Sequence, residues 1–199
     1  YPFRTGLQSG VVRPWSRHGL QLLERALAQL LRDGGYRSAM AGKWHLGHAA
    51  PEYLPTRRGF ESQYGHYNGA IDYYTHVRDG GLDWHRDDRA LREEGYSTRL
   101  IGREAVRVIE GHDASRPLFL YVAFNAPHTP LQAPTEHLDR YRGIAPRGRR
   151  IFAAMVSCLD EEVGELAAAL DRRGMSSRTL LVFTSDNGGP PRHGADNGP

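Results

Sequence analysis

At 199 residues, with 39% hydrophobic and 25% charged side chains, the chain is long enough to bury a core and too apolar to be disordered. Its formal net charge of +3 suits weak attraction to anions, but the arginines are scattered. The one local cluster, Arg142 to Arg150, reads as a solvated helix entry, which argues against a nucleic-acid partner. The longest apolar run, Leu118 to Phe124, is far too short to span a membrane, and a single cysteine, Cys158, excludes a disulfide within the chain.

Three helix-then-strand units follow one another. Leu20 to Arg32 carries leucines at helical spacing and ends at Gly34-Gly35, so a helix is predicted there, feeding a short strand from Tyr36 to Gly42. That strand delivers Lys43 and His45. Residues 46 to 96 form a long irregular segment rich in Gly, Tyr, Asp and Arg, and long loops in compact domains are often functional. Ser97 or Thr98 is positioned to cap a second helix running to Gly111, and Arg116 to Phe124 is a buried strand entering "NAPHTP". In the third unit Ile151, Met155, Leu159, Val163, Leu166 and Leu170 recur at helical spacing, with Cys158 beside the stripe as a small core residue. This helix ends at Gly174, and Arg178 to Thr184 is the strand that runs into "SDNGG".

Such alternation predicts an α/β fold with a mostly parallel sheet and helices on both faces, in which ligands bind beyond the carboxyl ends of strands. Lys43/His45, His128 and Asp186/Asn187 all fall just past a predicted strand, which would gather three segments on one rim.

Lys43 is the only lysine among 26 basic Lys and Arg side chains. It lies two residues before His45 in "GKWHLG", and strand alternation would point both to one side with Trp44 to the other. An ammonium and an imidazole together can grip a tetrahedral anion, and a slim lysine fits where arginine's broad fork does not. His128, between two prolines, is a candidate general acid or oxyanion donor, or else a surface histidine. Asp186 and Asn187 offer hard oxygen donors suited to Ca²⁺ or Mg²⁺, though Asp-Asn-Gly is also a common turn and two ligands do not complete a site. His45 and His48 make an H-x-x-H, for which zinc would need a third ligand.

"GKWHLG", "LPTRRGFE", "IDYYTH", "RPLFLYVAFNAPHTPLQAP" and "FTSDNGG", in this order, resemble the formylglycine-dependent sulfatases, and among them the arylsulfatase B (N-acetylgalactosamine-4-sulfatase) group. The resemblance covers nearly the whole of residues 1–199 and implies the alkaline-phosphatase-like α/β sandwich, present as a partial domain. It implies that Lys43 and His45 contact the sulfate and the formylglycine, that His128 holds the sulfate and assists the leaving oxygen, and that Asp186 and Asn187 ligate Ca²⁺. A sulfated carbohydrate or aryl sulfate would be the substrate, a formylglycine-generating enzyme a partner, and the location secreted, lysosomal or periplasmic. The family nucleophile arises from a cysteine in C-x-P-x-R, and no such motif occurs here. Cys158 is followed by Leu-Asp-Glu. The family's N-terminal Asp-Asp pair and its later active-site lysine are also missing, and Tyr53 stands where the arylsulfatase B group has a cysteine. The expectation is an internal fragment of a longer sulfatase, inactive alone. Two alternatives remain, a non-catalytic binder of sulfated glycans and a phosphatase or phosphodiesterase on the same fold.

Overall fold

Two neighbouring strands carry apolar side chains on both faces, and the molecule is layered around them. The computed structural model describes residues 2–7 and 10–188. In chain order the elements are α1 (Pro2–Thr5), α2 (Leu27–Asp33), β1 (Arg37–Lys43), β2 (Ser62–His66), β3 (Val77–Arg78), β4 (Gly81–Leu82), β5 (His85–Arg86), β6 (Arg89–Ala90), α3 (Ser97–Glu110), β7 (Leu118–Ala123), α4 (Thr135–Arg140) and α5 (Arg147–Arg172). The main sheet has the order β6-β5-β2-β1-β7. β1 runs parallel to β2 and β7, while β5 and β6 add antiparallel to the β2 side. The sheet is therefore mixed, with helices on both sides.

Alternate residues of β1 and β7 feed different cores, as the period-2 geometry of a strand requires. Ala41, with Leu120 and Val122, meets Leu100, Ile101 and Ala105 of α3. Met40, with Phe119 and Ala123, meets Ala28 of α2 and the rings of Trp44 and Phe60. Trp44 and Phe60 pack edge-to-face at 6.2 Å, a geometry worth about 0.5–1.5 kcal/mol beyond area burial. A third cluster ties Met155 and Cys158 of α5 to Tyr73, Tyr96 and Ala126. The centre of the sheet is closed by two glycines: a Cβ on Gly42 would lie 2.0 Å from the Ala123 carbonyl oxygen, and one on Gly65 2.3 Å from that of Gly42. Both have positive φ, so neither position tolerates a side chain.

Four expectations change. The first helix begins only at Leu27, because the Arg58 guanidinium takes the carbonyls of Gln21, Leu22 and Glu24 at 2.6–3.2 Å, oxygens a helix would have used internally. Its start is fixed by Gln29 Oε1, which accepts the Ala26 N–H at 2.8 Å. Neither Ser97 nor Thr98 caps α3: Tyr96 stands at the N-cap without a side-chain bond, and both hydroxyl residues are buried in the first turn. The segment 46–96 is not simply a loop, since it supplies β2 and two short hairpins. Finally, Arg178 to Thr184 forms no strand. Leu180, Leu181, Val182 and Phe183 are 54–89% exposed, and no described strand pairs with them. Without a ladder to satisfy its N–H and C=O groups, an apolar run has no reason to become a strand.

Candidate functional site

Past their carboxyl ends β1 and β2 continue side by side. Trp44 N–H donates to the His66 carbonyl at 2.9 Å and His45 N–H to the Tyr67 carbonyl at 3.0 Å. Trp44 turns inward, 6% exposed, its indole N–H donating to the Tyr53 carbonyl at 2.8 Å. At His45 the backbone leaves the extended region, with φ of 59°. Simple alternation therefore fails at this left-handed residue, which re-aims the His45 side chain.

The His45 ring sits between two constraints. Its Nε2 donates to the Val12 carbonyl at 3.0 Å, as it must because a carbonyl only accepts. On the other side a Cβ on Gly69 would lie 2.3 Å from Cε1 and 2.5 Å from Nε2, so only glycine leaves room for the imidazole. Three residues on, His48 Nε2 donates to the Pro14 carbonyl at 3.0 Å, and Leu20 N–H to the Leu46 carbonyl at 2.7 Å. Residues 12–20 thus form a strap clamped over the 45–48 turn. The H-x-x-H pair spends both Nε2 atoms on this strap.

Burial pulls the Lys43 ammonium below its ordinary 10.5, with Asp186 acting in the opposite direction. Burial, then the neighbouring Lys43, lower His45 below 6.5; the Val12 bond opposes them and His128 adds to the depression. The charge couplings thus run pairwise, from Asp186 to Lys43, from Lys43 to His45 and from His128 to His45. His128 is exposed in a turn flanked by two cis X-Pro bonds, and its Nδ1 donates to the Thr129 carbonyl at 2.7 Å, which leaves Nε2 as the open nitrogen. Asp186 and Asn187 are exposed and follow no strand, a correction to the predicted rim. Asn187 Nδ2 donates to the Gly188 carbonyl at 3.0 Å. The final glycine of "SDNGG" lies outside the described residues.

Below the rim is a polar layer that sequence reading missed. Asp83, 5% exposed, accepts Tyr67 N–H at 3.0 Å, Asn68 N–H at 2.8 Å, Asn68 Nδ2 at 2.9 Å and His85 Nε2 at 3.1 Å. Burial alone would raise its pKa, but the His85 bond, the facing His66 and the two backbone donors hold the carboxyl well below the usual range. His66 is fully buried, donates Nδ1–H to the Asn68 carbonyl at 2.8 Å, and is driven by burial down to about 4. Asp83 thus fixes the 67–69 backbone against which His45 rests. The signal for it was present in "DWHRDD" and "YGHYNG", but no local spacing joins those segments.

The Sulfatase family profile matches residues 3–198. The chain belongs to the sulfatase family. It is 40% identical over 207 aligned residues to arylsulfatase J of Mus musculus, covering 100% of this chain and 35% of that protein. Against N-acetylgalactosamine-6-sulfatase of Mus musculus it is 33% identical over 91% of the chain and 37% of the relative. Among solved structures, Ps i-CgsB in complex with k-i-k-neocarrahexaose superposes with a TM-score of 0.90 at 32% identity, covering 100% of this chain and 48% of that one. These neighbours fix the architecture as the alkaline-phosphatase-like sandwich. The chain spans about a third of the length of those curated sulfatases and about half of that solved one.

Donor chemistry tests the calcium expectation. Asp186 and Asn187 present hard oxygens, which suit Ca²⁺, but the ion takes six to eight ligands. Among the described residues no group of three or more His, Cys, Asp or Glu is placed to share a metal. The pair fits in kind and is incomplete in number. Cys158 is buried in α5, with burial pushing its thiol up to about 11.

Proposed function

We propose that the complete protein hydrolyses sulfate esters of sulfated carbohydrates or aryl sulfates, and that residues 1–199 are part of its catalytic domain, inactive on their own. What supports this reading is the Sulfatase family match over residues 3–198, together with Lys43 and His45 at the carboxyl end of β1 and the charge couplings of His45 to Lys43 and His128. Lys43 binds a sulfate oxygen as a compact cation. His45, its Nε2–H committed to Val12, has only Nδ1 left to accept a hydrogen bond at the reacting centre. His128 has its Nδ1–H committed to Thr129, so Nε2 must take up a proton before it protonates the departing alcohol oxygen.

A formylglycine made from a cysteine outside these residues would supply the oxygen nucleophile. A Ca²⁺ ion held by Asp186, Asn187 and donors outside the described residues would offset charge on the sulfate oxygens. The Asp83 layer takes no part in the chemistry but holds the 67–69 backbone in register. The likeness to arylsulfatase J, at 40% identity, and to Ps i-CgsB in complex with k-i-k-neocarrahexaose, at 32%, supports an aryl sulfate or a sulfated carbohydrate as the substrate class. A formylglycine-generating enzyme would be a partner, and a secreted, lysosomal or periplasmic location accords with that substrate. No described helix is long and apolar enough to cross a membrane.

The test is peptide mapping by mass spectrometry of the complete natural polypeptide. A C-x-P-x-R peptide whose cysteine has the mass of formylglycine is expected. A polypeptide without one would remove the catalytic reading and leave a binder of sulfated glycans.

A further inference from the structure

Trp15 is the one tryptophan in the chain that is not in the core. Of the three, Trp44 and Trp84 are 6% and 0% exposed, whereas Trp15 is 74% exposed. Isolated exposed apolar residues are ordinary, so exposure alone argues nothing. The backbone beneath Trp15 is what sets it apart. Residues 13–16 form a closed turn: Ser16 N–H donates to the Arg13 carbonyl at 2.9 Å, and Ser16 Oγ accepts Arg13 N–H at 2.8 Å. The turn is anchored on both sides of the candidate site, by the Val12 carbonyl on His45 and the Pro14 carbonyl on His48. Val12 is 3% exposed and seats the strap. Trp15 follows directly on Pro14 and stands three residues from Val12, so its backbone is tied to the same turn that holds His45 and His48.

Arginines stand two positions to either side of Trp15. Arg13, Arg17 and His18 are exposed, and no carboxylate among the described residues pairs with either guanidinium. A large flat apolar ring on a stiff turn, flanked by arginines, matches a ligand that has an apolar ring face and negative substituents. A sulfated sugar has both, since its pyranose C–H face stacks on indole while sulfate groups on adjacent units meet the arginines.

We propose that Trp15 is a saccharide platform at the edge of the sulfate site, stacking on a pyranose ring of the substrate and selecting sulfated carbohydrate over small aryl sulfates. This rests on the sulfatase reading and deepens it. Trp15 has no part in bond breaking, so it acts on KM rather than on kcat.

The experiment uses the complete protein, as wild type, Trp15→Phe and Trp15→Ala. Acrylamide quenching is measured with and without saturating k-i-k-neocarrahexaose or N-acetylgalactosamine 4-sulfate, and Trp15→Phe supplies the baseline of the other tryptophans. The Trp15 emission should be freely quenched without sugar and protected by at least one of the two. In turnover of the protecting sugar, Trp15→Ala should raise KM about 3- to 10-fold with kcat within about twofold, and Trp15→Phe should restore most of the loss. The KM for 4-nitrophenyl sulfate should rise less. Trp15 emission that is already shielded without sugar, or that neither sugar protects, overturns the proposal, as does a sugar KM unchanged in Trp15→Ala. A wild type that protects Trp15 but releases no sulfate from any substrate would instead sink the sulfatase reading and leave the platform standing.

Discussion

Replacing Gly69 by alanine adds one methyl carbon at the tightest point of the site. An ideal Cβ there lies 2.3, 2.5 and 2.8 Å from Cε1, Nε2 and Nδ1 of His45. Reaching ordinary contact near 3.5 Å requires the ring to retreat by about 1 Å. The ring cannot do so and keep its 3.0 Å bond to the Val12 carbonyl, because the His45 backbone is already committed to a left-handed conformation at φ 59°. Overpacking of this kind costs about 1–3 kcal/mol of stability, and a 1 Å displacement of a reacting group costs about 10²-fold in rate. The assay is kcat for sulfate release by the complete protein together with its thermal midpoint. Gly143→Ala serves as control, since nothing lies within 4 Å of its Cβ. Gly69→Ala should lose about two orders of magnitude in kcat while remaining folded, and Gly143→Ala should behave as wild type. A Gly69→Ala enzyme with wild-type kcat, or a crystal structure with an unmoved His45 ring, would refute the reasoning.

Further outcomes follow from the layers beneath. His66 falls from 6.5 in the unfolded chain to about 4 when folded, so between those pH values the unfolded state binds the extra proton. Stability is thus complete above about pH 6.5 and drops by roughly 3 kcal/mol on acidification to pH 4, a slope that His66→Gln should flatten in thermal melts across that range. Arg58→Met frees the carbonyls of Gln21, Leu22 and Glu24, which should cost about 2–4 kcal/mol and speed hydrogen exchange in residues 21–26. Unchanged exchange there would contradict the clamp. Lys43→Arg keeps the charge but broadens the head group, and its kcat should fall about 10²-fold; wild-type kinetics would dismiss a size requirement at that position.

What could be read from the sequence was what repeats along it. β1, β7, α3 and α5 were found because their apolar residues recur with the period of their element, and both strands are sandwiched between helices. β2 escaped because its inward side chains, Gln63 and His66 among them, are polar and satisfied by distant partners, so no hydrophobic run announces it. The start of α2 was misplaced for a similar reason: the residue that stops it, Arg58, lies more than thirty positions away. The run ending at Thr184 shows the converse, an apolar pattern with no described strand to join.

The site was legible by composition more than by geometry. A lone lysine, two glycines and a histidine drew attention to this turn, but the alternation invoked to put Lys43 and His45 on one side does not hold at a left-handed His45. His45 is set by a left-handed backbone, a carbonyl from Val12 and the missing side chain of Gly69, three features that no spacing within "GKWHLG" encodes.

Sulfate release by the complete protein, wild type against Lys43→Ala, tests the central assignment most directly, with ion chromatography reading free sulfate from N-acetylgalactosamine 4-sulfate and 4-nitrophenyl sulfate. Release by the wild type, reduced about 10²–10³-fold in Lys43→Ala with the fold intact by circular dichroism, is the expected result. Sulfate release that does not depend on Lys43, or none from the wild type on either ester, would contradict it.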